Sequence, residues 1–106
     1  MDMQESAVFR ALADPTRRAV FERLSRQEMN VSELKSGFRV SQPAISQHLT
    51  ALKNAGLVCE RREGRYIYYR SDPQGLAPLA DWVQRHRELW PARIEKLKRV
   101  LKELEP

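Results

Sequence analysis

At 106 residues the chain has room for about one domain, domains clustering near 100–150 residues, and little room for an enzyme with a separate cofactor domain. Its formal charge of +5 favours polyanionic partners, nucleic acid or an anionic membrane surface. No apolar run approaches the roughly 18 residues needed to span a bilayer, and the single cysteine, Cys59, excludes an intramolecular disulfide framework and a purely thiolate metal site within one chain.

The first residues, Met1 to Glu5, lack the basic-then-apolar order of a secretory signal, so a soluble cytoplasmic protein is expected. Ala7, Val8, Ala11 and Leu12 recur with helical spacing up to Asp14-Pro15, where Asp caps a second helix whose first position accepts Pro. That helix carries Val20 and Leu24 on one stripe, holds Arg17 and Arg18 in its first turn, and ends around Ser25 to Glu28. Asn30-Val31-Ser32-Glu33-Leu34 opens a short third helix, with Gly37 expected to close it in a left-handed cap. Ser41 then caps a fourth helix with Pro43 in its first turn and an amphipathic pattern, Ala44, Ile45, His48, Leu49 and Leu52, up to Ala55-Gly56.

After Gly56 the period shifts towards alternation in Leu57 to Arg62 and again in Tyr66 to Arg70, two strands around a turn at Glu63-Gly64-Arg65. A loop over Ser71 to Gly75 precedes a last helix marked by Leu76, Leu79, Ala80 and Val83. The helix continues past Trp90-Pro91, with a break expected near Pro91, as Ile94, Leu97, Leu101 and Leu104. The stripe from Leu76 to Leu104 suits an intramolecular core, a dimer seam or both. Residues 1–106 therefore read as one mainly α domain with a small β-hairpin, a winged helix-turn-helix.

The chemistry concentrates between Ser41 and Arg70. The N-terminal residues of a helix lying in the major groove meet base edges, and here they are Gln42, Ala44, Ser46 and Gln47, with Pro43 also on the DNA-binding side and His48 read as a DNA-backbone contact or a hydrogen bond within the motif, while Ile45, Leu49 and Leu52 fall on the opposite side. The hairpin supplies Arg61, Arg62, Arg65 and Tyr66, and alternation sends adjacent arginines to opposite faces, some towards phosphates and others towards solvent or Glu60 and Glu63. Lys53, Arg17 and Arg18 are further candidates for backbone contacts. Double-stranded DNA is thus the expected partner, the alternative being an interaction module that docks another protein or an anionic surface. For an enzyme there is no nucleophile with a base partner, no Gly-rich phosphate loop and no pair of carboxylates on one helix face. Cys59, between Val58 and Glu60, reads as a small buried hydrophobe rather than a redox switch.

Ala13-Asp14-Pro15-Thr16-Arg17, Ser41-Gln42-Pro43-Ala44-Ile45-Ser46-Gln47-His48-Leu49 and Leu52-Lys53-Asn54-Ala55-Gly56-Leu57-Val58, followed by Arg62-Glu63-Gly64-Arg65-Tyr66-Ile67-Tyr68-Tyr69, resemble the ArsR/SmtB family of winged-helix repressors. The resemblance implies a homodimer built from the first and last helices, bound to an imperfect inverted repeat in or near its own promoter. Many members sense metals through a Cys-x-Cys-type motif on the third helix, where this chain has Asn30-Val31-Ser32-Glu33-Leu34, or through an Asp-x-His pair on the last helix, where it has Asp81-Trp82-Val83 and a lone His86. Both sites are missing. The expectation is a non-metal-binding member with no cofactor and no membrane association, whose small-molecule effector the sequence does not name.

Overall fold

The computed structural model describes residues 2–88 and 91–104. Helix α1 (Met3–Ala13) starts at Asp2, whose side chain accepts from the Gln4 N–H at 2.7 Å, and buries Glu5, Val8 and Ala11. Asp14 ends α1 in an extended conformation and starts α2 (Pro15–Arg26), its carboxylate accepting from the Arg17 N–H at 2.9 Å with Pro15 in the first turn. The Arg17 N–H, opposed in part by desolvation, holds the Asp14 carboxyl below its ordinary pKa. Helix α2 buries Val20, Phe21 and Leu24.

Met29–Asn30 forms a short strand, β1, and Asn30 also caps α3 (Val31–Lys35). The Glu33 N–H donates to Asn30 at 2.9 Å and the Asn30 N–H donates to Glu33 at 3.0 Å, a reciprocal capping box. Gly37 does not take the expected left-handed cap: α3 ends on Ser36 in the right-handed region, and a Cβ at Gly37 would lie 2.6 Å from Nη1 of Arg23. The atoms that approach it are the far end of the Arg23 side chain, a flexible group.

Ser41 caps α4 (Gln42–Asn54), its Oγ accepting from the Ala44 N–H at 3.2 Å. The helix closes on Gly56 at φ +77°, with the Leu57 N–H donating to Leu52 O at 2.9 Å and the Gly56 N–H to Lys53 O at 3.0 Å. This is a Schellman closure, which places its left-handed residue where glycine avoids a Cβ clash and folds Leu57 back onto the core.

Strands β2 (Val58–Glu63) and β3 (Tyr66–Ser71) pair antiparallel around the turn Gly64-Arg65. The sheet has three strands in the order β1-β3-β2 rather than the two of an isolated hairpin, because Met29 and Asn30 pair with Tyr69 and Tyr68. Two residues carry no alternation of their own; the free edge of β3 recruits them. Helices α3 and α4 pack together and the β2–β3 wing follows, a mostly helical winged helix-turn-helix.

The centre of the core is Val8, Val20, Leu34, Ile45, Leu49, Leu52 and Leu57, all fully buried, so the first four helices share one interior with the base of the sheet. Each such side chain contributes about 1.5–3 kcal/mol. Ser71 locks β3 to α2, its Oγ donating to Phe21 O at 2.6 Å. A 3₁₀ turn (Pro73–Leu76), where the sequence suggests a loop, then leads into α5 (Ala77–Glu88), which packs on α1 through an edge-on Phe9–Trp82 contact at 5.2 Å and a Glu5–Arg85 ion pair. Helix α6 (Pro91–Glu103) follows. Residues 89 and 90, where α5 would run on to Pro91, lie outside the described residues, and with them the break expected there. The C-terminal stripe divides: Leu76 and Leu79 pack on the core, while Val83, Ile94, Leu97, Leu101 and Leu104 are exposed. No described helix is long and apolar enough to cross a membrane.

Candidate nucleic-acid interface

Three buried residues at helical spacing, Ile45, Leu49 and Leu52, set the rotation of α4. With them facing inward, Gln42, Pro43, Ser46 and Gln47 are exposed and Ala44 and His48 are half-buried at the edge of the same surface. Polar side chains therefore stand beside the N-terminal end of a helix, where backbone N–H groups and the macrodipole also favour anionic oxygens. Thr50, not singled out from sequence, is exposed one turn beyond Ser46, its hydroxyl donating to Ser46 O at 3.0 Å. Extending the 3.6-residue period outward from Ser46 finds it.

The register of the wing separates its arginines. Glu60 and Arg62 share one face with Tyr69 and Ile67; Arg61 and Glu63 share the other with Tyr68 and Tyr66. Arg61 sits between Glu28 at 2.6 Å and Glu63 at 2.7 Å, with its guanidinium 4.7 Å from the centre of the Tyr68 ring. The hydrogen bond to Glu28 leads in pushing the Arg61 pKa up, and the same bond pulls the Glu28 carboxyl below its ordinary range. The charge of Arg61 is thus fixed and locally neutralised. Arg62 and Arg65 take part in none of the ion pairs among the described residues, and Tyr66 is 52% exposed.

Lys53 ties the end of α4 to the root of the wing through Glu60 at 2.6 Å. That contact raises the lysine pKa and lowers the carboxyl one, in each case chiefly through the hydrogen bond. Tyr69 beside them is pushed up by burial first and by the Glu60 charge second. The structure thus puts Gln42, Pro43, Ser46 and Gln47 on one exposed surface of α4 with Ala44 and His48 at its edge, sets Arg62 on the strand face of Glu60, the partner of Lys53, and holds Lys53 and Arg61 in internal pairs.

Arg17 and Arg18 take a position that sequence did not signal. Nη1 of Arg17 donates to Arg10 O and Ala11 O at 3.4 Å each, and Nη1 of Arg18 donates to Leu12 O at 3.0 Å. Three of the last four carbonyls of α1, which have no partner within the helix, are met by the first turn of α2. Nε of Arg17 also donates to Nδ1 of His48 at 3.4 Å, reaching α4.

The family profile described as "Bacterial regulatory protein, arsR family" matches residues 14–59. The chain is 52% identical over 71 residues to the HTH-type transcriptional regulator Rv2034 of Mycobacterium tuberculosis, covering 67% of this chain and 66% of that protein. It is 36% identical over 76 residues to the transcriptional repressor SdpR of Bacillus subtilis, covering 72% of this chain and 84% of the repressor. The chain belongs to the arsR family. As an arsR-family protein it is a DNA-binding regulator of transcription. A solution structure titled as the homodimeric winged helix-turn-helix DNA-binding domain of Mb0332 from Mycobacterium bovis, a possible ArsR-family regulator, superposes with a TM-score of 0.65 at 33% identity, covering 80% of this chain and 79% of that one.

The arsR profile begins at the Asp14 cap and ends at Cys59, so it spans the helix-turn-helix and stops before the wing arginines. The softer donor atoms of this arsR-family chain are dispersed. Cys59 is on β2 with its Sγ 3.9 Å from Arg70 O, His48 on α4 is engaged by Arg17, and His86 on α5 stacks on Trp82 with Nδ1 2.8 Å from Trp82 O. Among the described residues no three His, Cys, Asp or Glu side chains gather where they could hold a metal ion.

Proposed function

We propose that this arsR-family protein is a cytoplasmic homodimeric repressor that binds an imperfect inverted repeat, each protomer a single domain over residues 1–106. The observation that carries the reading is the exposed N-terminal face of α4, held by a fully buried stripe, together with a wing arginine, Arg62, that has no ion-pair partner among the described residues. Gln42, Ala44, Ser46 and Gln47 read base edges, Pro43 and His48 line the approach, and Arg62, Arg65 and Tyr66 meet the backbone beside that groove. Lys53 and Arg61 belong to the same surface and act through their pairs, Lys53–Glu60 holding the wing to α4 and Arg61–Glu28 holding it to the segment before β1.

The dimer reading rests on α5 and α6. Val83, Ile94, Leu97, Val100, Leu101 and Leu104 are each more than two-fifths exposed, and the radius of gyration is 18.2 Å, against about 13 Å for a compact chain of this size. A second copy covering α1, α5 and α6 removes that apolar surface from water. It also sets two α4 helices about one DNA turn, roughly 34 Å, apart. The absence of sulfur from residues 30–34 and the dispersal of Cys59, His48 and His86 favour a regulator that needs no metal and no cofactor.

Nuclease footprinting of the DNA upstream of the chain's own gene tests the proposal. The expected result is a protected, roughly two-fold symmetric segment. Binding that random duplex DNA competes away equally well would instead make the chain an interaction module without sequence preference.

A further inference from the structure

Resting on that reading, we infer that Arg17 is a positioning residue for the DNA-reading helix, a bracket that fixes α4 to the α1–α5 unit without itself touching DNA. The sequence offers Arg17 as a phosphate contact in the first turn of α2; the geometry gives its guanidinium other work. Nη1 reaches the Arg10 and Ala11 carbonyls at the end of α1, and Nε reaches His48 on α4, immediately after Gln47. Three helices meet on one planar group whose fork of fixed donors can serve acceptors in different directions, which a lysine ammonium on a flexible stem cannot reproduce.

The position of this bracket gives it a consequence for DNA reading. On one side, α1 is joined to α5 by Glu5–Arg85 and by Phe9 against Trp82, the elements through which the proposed dimer forms. On the other, His48 belongs to the surface that presents Ser46 and Gln47. Buried Ile45, Leu49 and Leu52 set which face of α4 turns inward, and because apolar contact is non-directional, finer adjustment of the helix falls to groups that bond in a fixed direction. Arg17 supplies a directional restraint from α1 to α4. Arg18 provides an internal control: it meets the Leu12 carbonyl of the same helix end, and its described hydrogen bond does not reach α4.

The test is a set of affinities on the footprinted duplex and on random duplex, measured from about 50 to 200 mM salt, for the wild type, Arg17→Gln, Arg17→Lys and Arg18→Gln. A positioning role predicts that both Arg17 variants lose about tenfold or more on the specific site, the scale of one hydrogen bond to a charged group. Binding to random duplex should stay within about twofold, and the salt slope of Arg17→Gln should match the wild type. Arg18→Gln should keep the specific-to-random ratio. His48→Leu should lower that ratio as well, and adding Arg17→Gln to it should cost little more, since both break one link.

A phosphate contact gives the opposite pattern and overturns the inference: Arg17→Gln weakens specific and random binding alike and flattens the slope, while Arg17→Lys restores both. An unchanged ratio in well-folded Arg17→Lys also overturns it, and that variant decides the matter if Arg17→Gln fails to fold. Should the wild type itself show no preference for any duplex, the repressor reading fails instead.

Discussion

Removing one wing arginine at a time separates the two faces of the hairpin. In Arg62→Ala each protomer loses a guanidinium that has no ion-pair partner among the described residues and that the register places on the Glu60 face, towards α4. Each phosphate contact contributes about 0.9 to the slope of log affinity against log salt, so a dimer losing two contacts has its slope reduced by about 1.8. Between about 50 and 200 mM salt, a fourfold change, the gap between wild type and variant should shrink by about tenfold. Arg61→Ala removes the same formal charge, but that charge is spent on Glu28 and Glu63 at 2.6 and 2.7 Å, so its slope should stay near the wild-type value while affinity falls with the loosened wing. Fluorescence anisotropy on a labelled operator duplex across the salt series measures both. Equal flattening by the two variants, or flattening by Arg61→Ala alone, would refute the assignment of faces.

Three further outcomes follow from the same geometry. Ile45→Ala empties a fully buried site under α4 and should destabilise the fold by about 2–5 kcal/mol, lowering the thermal midpoint by about 10 °C or more in circular dichroism; a shift below about 2 °C would mean that the stripe does not anchor the helix. Glu28 and Glu60 have carboxyl pKa values held below the ordinary 4.5 by Arg61 and Lys53, so their contribution is present above that value and is lost as pH falls through the lower folded values. Denaturant midpoints should therefore drop below about pH 4.5, and Glu28→Gln combined with Glu60→Gln should flatten the drop; an unaltered pH profile in that double variant would contradict the pairing. Zinc or arsenite added to the protein–operator complex should leave its affinity unchanged, and release of DNA by a stoichiometric metal would overturn the non-metal reading.

Much of the helix-turn-helix is legible because its punctuation is local. Asp14-Pro15, Asn30 with Glu33, Ser41 and Gly56 each act within a few residues of themselves, and each starts or stops a helix where the sequence predicts. Alternation likewise foretells that Arg61 and Arg62 point apart. What escapes is set by contacts distant along the chain. The strand Met29–Asn30 exists only through the edge of β3, and α3 ends on Ser36 in the right-handed region rather than on a left-handed Gly37. Arg61 is drawn to Glu28 across 33 residues and Arg17 to His48 across 31, so no spacing rule distinguishes these arginines from those left for DNA. The exposed leucines of α6 fit the expected apolar stripe, and the pairing proposed for them lies between two chains.

Selection from a random duplex library tests the central claim most directly, because it assumes nothing about the operator sequence. The expected result is enrichment of an inverted repeat whose half-site centres lie about one helical turn, roughly 34 Å, apart, with base preference at the half-sites relaxed in Gln47→Ala. Recovery of unenriched sequences bound through charge alone would contradict it.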